Sequence, residues 1–228
     1  MLYFGFRSES INRLNQFEDK NEASQVYGEP KYKNCKNTVS VAVVDTGIDL
    51  KNKNLAKRIQ RDSLGHLSGR SFGLTSSIND TFGHGTHISD LITRQDDCIK
   101  IIPFSYYVEP NLDLFVSTNE RFLMALEAAI DSKPQIINIS GGGYGFSQRE
   151  FSLIKKAESL GIIIVSAAGN DGKNIDEFEN NFFPSAYRTS NIISVGAVTK
   201  EGSYFYISNC GQKSVDIAAL GKDVTASG

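Results

Sequence analysis

The sequence predicts an α/β fold of three layers, in which a mostly parallel sheet carries helices on both faces. Two patterns indicate this class. Runs of β-branched and other apolar residues, such as Val39–Val44 and Ile162–Ser166, are typical of strands that are covered on both sides. Amphipathic helical segments separate several of these runs, and such βαβ connections produce parallel sheets. At 228 residues the chain suits a single domain.

The chain divides at residue 38. Residues 1–38 are polar and are interpreted as a lead-in segment, with a helix predicted around Ser8–Glu18. Residues 39–228 form the predicted domain. Its strands are predicted, in chain order, at Val39–Val44, Ile99–Val108, Gln135–Ser140, Ile162–Ser166, Ile192–Val198, Tyr204–Ile207 and Val215–Ala219.

Two predicted helices begin with a capping box, in which a serine is followed three residues later by a glutamate. Ser117 and Glu120 open the first, and Ser147 and Glu150 open the second. Gly161 is placed to end the second helix. The predicted inward faces are Phe122, Leu123, Leu126, Ala129 and Ile130 in the first helix, and Phe151, Ile154, Ala157 and Leu160 in the second.

Composition narrows the choice of partners and compartment. A net charge of −2 argues against a nucleic acid or an anionic membrane as the main partner, since both favour basic patches. No signal peptide is recognised at the start, and no apolar run approaches the roughly 18 residues that cross a bilayer. Cys35, Cys98 and Cys210 are far apart in the sequence, and we expect them to be reduced and buried. These points favour a cytoplasmic protein.

Three polar motifs lie where such a sheet places its chemistry, at the carboxyl ends of strands. The first is Asp45, which ends a strand and is followed by Thr46 and Gly47. A glycine at this point lets the backbone turn sharply beside the carboxylate. Taken alone, the aspartate would more often be a capping residue of the next turn.

The second motif is a histidine, His84, between Gly83 and Gly85 at the start of a predicted helix. Two glycines remove side chains that would cover the imidazole, so a place in a cleft is favoured over a place in the core. His84 and His87 could also form a metal site, but this spacing without a third ligand is weak evidence for one. No metal is expected.

The third motif follows the strand Ile162–Ser166. Small residues, Ala167, Ala168 and Gly169, allow a substrate backbone to approach closely, and Asn170 offers a side-chain N–H donor. An asparagine in a left-handed turn is the plain structural alternative.

Two other enzyme classes share one motif each. Asp45-Thr46-Gly47 occurs in aspartic peptidases, which need two such motifs and are nearly all strand. The glycines of 140–145 suggest a nucleotide-binding domain, but they lack a P-loop lysine and a G-x-G-x-x-G pattern before a helix.

The order of the motifs closely resembles the subtilisin-like (subtilase, S8-type) serine peptidases, from about Val39 to the C-terminus. The segments that carry the resemblance are Asp45-Thr46-Gly47, Asp80, Gly83–His87, Ile137–Gly142, Ala167–Asn170, Phe183–Ala186, Ile193–Val198 and Val215–Ala218.

The resemblance implies a serine endopeptidase acting on polypeptides. Asp45 would orient the imidazole, and His84 would be the general base and then the general acid. Asn170 would donate to the oxyanion, a contact whose loss typically costs ~10²–10³ in turnover. The implied substrate-binding residues are Ser140, Gly141, Gly142, Ala167, Ala168 and Gly169.

The nucleophile is the main departure from the family. Its Gly-Thr-Ser motif should follow the strand Val215–Ala219, but the printed sequence contains no Gly-Thr-Ser. We expect the serine beyond residue 228, in a peptidase domain whose C-terminal part is missing here. The alternatives are a split enzyme, with the serine segment on a partner chain, or a non-catalytic peptide-binding module. Alone, these residues should be inactive.

Calcium is the cofactor that the resemblance raises. The strong calcium site of secreted members uses an aspartate where this chain has Asn54, and a loop that Arg94–Asp97 does not supply. We expect that site to be absent and no other cofactor to be needed.

Overall fold

A parallel sheet forms the centre of the molecule. The computed structural model describes residues 35, 37–94, 96–108 and 116–226. Its strands are β1 (Val39–Asp45), β2 (Arg70–Ser71), β3 (Ile99–Ser105), β4 (Ile136–Ile139), β5 (Gly143–Tyr144), β6 (Ile163–Ala167), β7 (Phe182–Phe183), β8 (Ile192–Val198) and β9 (Ile217–Leu220). Seven of them pair in parallel in the order β2-β3-β1-β4-β6-β8-β9. Strands β5 and β7 form a separate antiparallel pair.

Helices lie on both faces of this sheet. They are α1 (Lys53–Ala56), α2 (His84–Arg94), α3 (Thr118–Asp131) and α4 (Gln148–Ser159), with 3₁₀ turns at Phe178–Asn180 and Ser185–Tyr187. Alternate residues of β1 divide between two cores. Ala42 and Val44 pack with residues of α3 and α4, whereas Val41 and Val43 pack with residues of α1 and α2. The predicted three-layer α/β fold is confirmed.

The two helices predicted from capping boxes are present. Ser117 and Ser147 each accept a hydrogen bond from the backbone N–H three residues later, and all five predicted inward residues of α3 are buried. In α4 the predicted inward residues Ile154 and Ala157 are buried and Phe151 is half-buried. Leu160 is 48% exposed, because the helix ends at Ser159. Gly161 then turns the chain with a φ of 70°, a conformation that glycine adopts without strain.

Six of the seven predicted strands are confirmed, with ends that differ by at most three residues, and one is wrong. Tyr204–Ile207 is not a strand: Tyr204 makes an isolated bridge to Val198, and the N–H of Ser208 closes a turn on the carbonyl of Phe205. Aromatic residues favour strands in general, but here Tyr204 and Tyr206 point largely into solvent. The final strand begins at Ile217 rather than Val215.

The expectation that all three cysteines are reduced and buried was wrong. Cys35 and Cys98 form a disulfide, with 5.2 Å between their α-carbons, and Cys210 is unbonded but exposed. The two bonded residues lie just before β1 and β3, which are neighbours in the sheet. A separation of 63 residues along the chain concealed this proximity, because it arises only when β1 and β3 pair.

The lead-in segment is mostly outside the described residues, including the helix predicted at Ser8–Glu18. The division of the chain at residue 38 therefore stays a prediction. Among the helices that the structure describes, none combines the length and the apolar composition needed to cross a bilayer.

Glu150 is a buried carboxyl group in the first turn of α4, only 7% exposed. The Tyr187 hydroxyl donates to its Oε2 at 2.9 Å, and also accepts from the N–H of Ser147 at 3.3 Å. The tyrosine thus lies between the two residues of the predicted capping box. Burial raises the pKa of Glu150 to about 7, and the hydrogen bond from Tyr187 offsets only part of that shift.

The replacement Glu150→Gln should stabilise the protein at alkaline pH. A raised pKa means that the folded state binds the proton more tightly, so stability is full below pH 4.5 and is lost as the pH rises through about 7. Glutamine stays neutral, so the variant should gain roughly 2–3 kcal/mol at pH 8 and little at pH 4.5. Urea unfolding at both pH values measures this difference.

A matched control is Glu120→Gln, at the equivalent position of α3. Its carboxylate is 42% exposed and pairs with Arg149, so its replacement should not produce this pH dependence. A stability gain for Glu150→Gln that is the same at both pH values would contradict the burial argument.

Candidate active site

Asp45 and His84 are joined by a hydrogen bond at the carboxyl end of β1. The distance from His84 Nδ1 to Asp45 Oδ1 is 2.6 Å. A carboxylate only accepts, so the Nδ1–H is the donor. The Asp45 side chain is 2% exposed and that of His84 is 20% exposed. The aspartate is therefore buried behind an imidazole that is partly exposed.

The close approach of α2 to the end of β1 produces this pair. The N–H of Gly85 donates to Thr46 Oγ1 at 2.8 Å, and the N–H of Thr46 donates to Asp45 Oδ1 at 2.7 Å. A β-carbon at Gly85 would overlap the carbonyl of Gly47. The contact between helix and strand thus requires glycine at position 85. The sequence indicated only that a glycine here leaves the imidazole uncovered.

Asp80 fixes the start of α2. Its two carboxylate oxygens accept from the N–H groups of Phe82, Gly83 and Thr86 and from the Thr86 hydroxyl, at 2.7–2.9 Å. Burial acts to raise the pKa of Asp80, but these hydrogen bonds outweigh it and lower the pKa. The sequence placed Asp80 in the motif without a role. The structure shows it capping the helix that carries the imidazole.

The pKa of His84 is raised above 6.5. Burial acts to lower it, but the hydrogen bond and the charge of Asp45, with a smaller contribution from Asp80, more than compensate. The two carboxylates therefore stabilise the protonated imidazole, which is the state that a general base reaches after it accepts a proton.

The other predicted site residues lie at the same edge of the sheet. Val43 pairs with Asn138, and Ile139 pairs with Ser166, so continuing both registers brings Asp45, Ser140 and Ala167 level on three adjacent strands. Neighbouring strands are about 4.8 Å apart, which places the three residues within ~10 Å of one another. Asn170 is exposed in the turn that follows Ala167.

Asn209, for which the sequence indicates no role, holds the loop that carries Asn170. Its side chain is 1% exposed. It donates from Nδ2 to the Ala168 carbonyl at 2.9 Å, and its Oδ1 accepts from the N–H groups of Asp171 and Lys173 at 3.1 and 3.0 Å. Its own N–H donates to the Gly169 carbonyl at 2.8 Å. These four bonds clamp both sides of the loop.

The sequence contained only an indirect signal for this clamp. Asparagine has a donor and an acceptor on one side chain and is therefore suited to bridging backbone groups. The segment before it was interpreted as a strand, which placed Asn209 in an ordinary connection. Only the fold shows that it lies against a loop almost 40 residues earlier.

Metal binding was not expected at His84 and His87. Among residues 37–94, 96–108 and 116–226, no three His, Cys, Asp or Glu side chains are grouped so that they could hold an ion. The absence of a calcium site and of any cofactor stays a prediction.

Comparison with known proteins identifies the family. Residues 36–228 match the model of the subtilase family, peptidase S8. The chain is 28% identical to the major intracellular serine protease of Bacillus subtilis over 82% of this chain and 59% of that protein. It is 34% identical to the cell wall-associated protease of the same species, over 82% of this chain and 20% of that protein.

Solved structures agree on the fold. The epidermin leader peptide processing serine protease of Staphylococcus aureus superposes with a TM-score of 0.67 and 21% identity, covering 88% of this chain and 55% of that one. The protein belongs to the subtilase family. The chain spans 59% of the length of the first of these relatives.

Replacement of Asn209 by alanine should release the loop that carries Asn170. The N–H groups of Asp171 and Lys173 lose their acceptor, so their hydrogen exchange should accelerate by at least tenfold, since each lost bond is worth ~1 kcal/mol and the gap left is buried. Asn209→Asp keeps the acceptor oxygen and should preserve most of the protection. Amide exchange measured by NMR distinguishes the variants.

The control is Asn191→Ala. Asn191 donates to the Ile162 carbonyl at 3.1 Å, at the start of β6 and away from the loop. It should leave the exchange of Asp171 and Lys173 unchanged. Protection that survives in Asn209→Ala would show that the backbone alone holds the loop.

Proposed function

We propose that this chain is the larger part of a serine endopeptidase, with Asp45 and His84 as two members of a Ser-His-Asp triad. The observation that supports this most directly is the 2.6 Å hydrogen bond between His84 Nδ1 and Asp45 Oδ1 at the carboxyl edge of the sheet. It has the geometry that orients an imidazole for proton transfer.

The chemistry follows from that geometry. With Nδ1 bonded to Asp45, Nε2 takes the proton from the attacking serine hydroxyl as that oxygen bonds to the scissile carbonyl carbon. The imidazolium then returns the proton to the leaving amine when the carbon–nitrogen bond breaks. Asp45 stabilises the charged imidazole between the two steps, in agreement with the raised pKa of His84.

Substrate binding is proposed at two segments, one that follows β4 and one that begins at the last residue of β6. An extended polypeptide would lie along Ser140, Gly141 and Gly142, and its side chain before the scissile bond would enter between them and the second segment, Ala167, Ala168 and Gly169. Asn170 would donate its side-chain N–H to the oxyanion. The net charge of −2 disfavours nucleic acids and anionic membranes as partners.

We propose that the serine nucleophile comes from outside the 228 residues, since no Gly-Thr-Ser occurs among them. We propose that it lies on the same polypeptide. A partner chain that supplies it, or a protein that binds peptides without cleaving them, are the competing arrangements. No metal or other cofactor takes part in the proposed steps.

In the protein that contains this chain together with its serine segment, a fluorophosphonate should label one serine. The replacement His84→Ala should reduce labelling by several orders of magnitude, because the serine loses its base. The labelling rate should also fall as the pH drops through the raised pKa of His84, above 6.5. Gel fluorescence against time and pH gives these rates.

His66→Ala is the matched control. His66 is an exposed histidine that bonds to Asp62 at 3.2 Å instead of to Asp45, so labelling should be unaffected. Full labelling in His84→Ala would contradict the triad. Labelling that requires a second polypeptide would identify the split arrangement, and none in any form would favour a binding module.

We propose a cytoplasmic location, which two related proteins named as intracellular serine proteases support. The disulfide between Cys35 and Cys98 argues the other way, because cytosolic thiols are normally kept reduced. In the proposed location Cys35 and Cys98 would be two adjacent thiols, and the disulfide would form only under oxidising conditions.

Alkylation of intact cells before lysis tests this location. Mass spectrometry should find three modified cysteines, Cys35, Cys98 and Cys210, in a reducing compartment. Modification of Cys210 alone, with the other two protected until a reductant is added, would instead assign the protein to an oxidising compartment.

A further inference from the structure

We propose that the phenyl ring of Phe182 closes the pocket for the residue before the scissile bond, so that only glycine, alanine or serine is accepted there. This inference rests on the proposed function, because it uses the same two segments, Ser140–Gly142 and Ala167–Gly169, as pocket walls. It goes further by assigning a substrate class and the residue that selects it.

Phe182 lies against both walls at once. A β-carbon built on Gly142 would be 2.5 Å from Cε1 of Phe182, and one built on Gly169 would be 3.1 Å from its Cδ1 and Cε1. The same edge of the ring therefore packs on the backbone of each wall. Ordinary van der Waals contacts begin near 3.5 Å, so no side chain fits between the ring and either glycine.

The ring is fixed in this position. Phe182 is 4% exposed and packs in a cluster with Ala168 and Ile175. Strand β7, which carries it, pairs with β5, where Gly143 is opposite Phe183 and Tyr144 is opposite Phe182. A substrate side chain could enter only by displacing this packed aromatic residue, which is energetically unfavourable.

The rim of the pocket is bridged as well. Tyr144 follows the first wall and Asp171 follows the second, and the Tyr144 hydroxyl donates to Asp171 Oδ2 at 2.6 Å. The Tyr144 ring meets that of Phe182 edge to face, with 5.6 Å between centroids. By accepting this hydrogen bond, the Asp171 carboxylate ties the two walls together.

The narrow gap between the two walls selects substrates by excluding large side chains. A large side chain gains binding energy only if it enters an apolar pocket, and here that volume is occupied by the protein itself. A glycine, alanine or serine side chain needs no such volume. Even one extra or missing methylene group in an apolar pocket typically discriminates by about 10–200-fold.

The hydrolysis test compares Phe182→Ala with Phe183→Ala in the protein that contains the serine segment. Both remove a buried phenylalanine of β7, but Phe183 packs against Tyr187 and Phe146 rather than between the walls. Tetrapeptide coumarylamides that end in alanine or phenylalanine give kcat/KM for each enzyme. The alanine substrate should be preferred at least tenfold by the unmodified protein and by Phe183→Ala, and Phe182→Ala should lose or invert the preference.

A binding test does not require the nucleophile. Tetrapeptide acids ending in alanine or phenylalanine are titrated into the unmodified chain and both variants, with Gly169 and Asn170 amide shifts as the readout. The phenylalanine peptide should bind at least tenfold more weakly than the alanine peptide, except in Phe182→Ala.

The outcomes separate this inference from the proposed function. Faster cleavage or tighter binding of the phenylalanine peptide by the unmodified protein overturns the role of Phe182, while fluorophosphonate labelling leaves the peptidase assignment intact. Selective binding without any hydrolysis supports the closed pocket and contradicts the peptidase. Absence of both binding and hydrolysis overturns both.

Discussion

The parallel pairing of β1, β4 and β6 is the constraint on which the site depends. Hydrogen bonds along these strands fix their register, so the residues at their carboxyl ends reach one edge of the sheet together. Asp45 and Ser140 are more than 90 residues apart in the sequence, and Ser140 is more than 25 residues from the loop that carries Asn170. A slip of one residue in either pairing would move these side chains to the opposite face.

The carboxylates at this edge of the sheet, Asp45 and Asp80, are stabilised by hydrogen bonds within the protein. Asp45 is buried, but a backbone N–H and the His84 imidazole bond to it. Asp80 is held by hydrogen bonds from three residues and keeps the first turn of α2 in place. A buried carboxylate without such partners would be costly, and these contacts are made before any substrate binds.

Sequence patterns predicted those features of the fold that depend on residues close together in the chain. The runs of apolar residues located the strands, and Ser117 and Ser147 marked two helix starts, because capping needs residues only three positions apart. Ordered motifs also located the Asp45–His84 pair. The disulfide, the Asn209 clamp and the ring of Phe182 were missed, because each depends on contacts between segments that only the folded chain brings together.

Strands β5 and β7 form a small sheet that is separate from the large one. Phe182 belongs to the small sheet, whereas Asp45 ends a strand of the large one. Replacements in the small sheet can therefore change which peptides fit without disturbing the groups that transfer protons. Variants that differ only in β5 and β7 would therefore share one route of proton transfer while differing in the peptides that they accept.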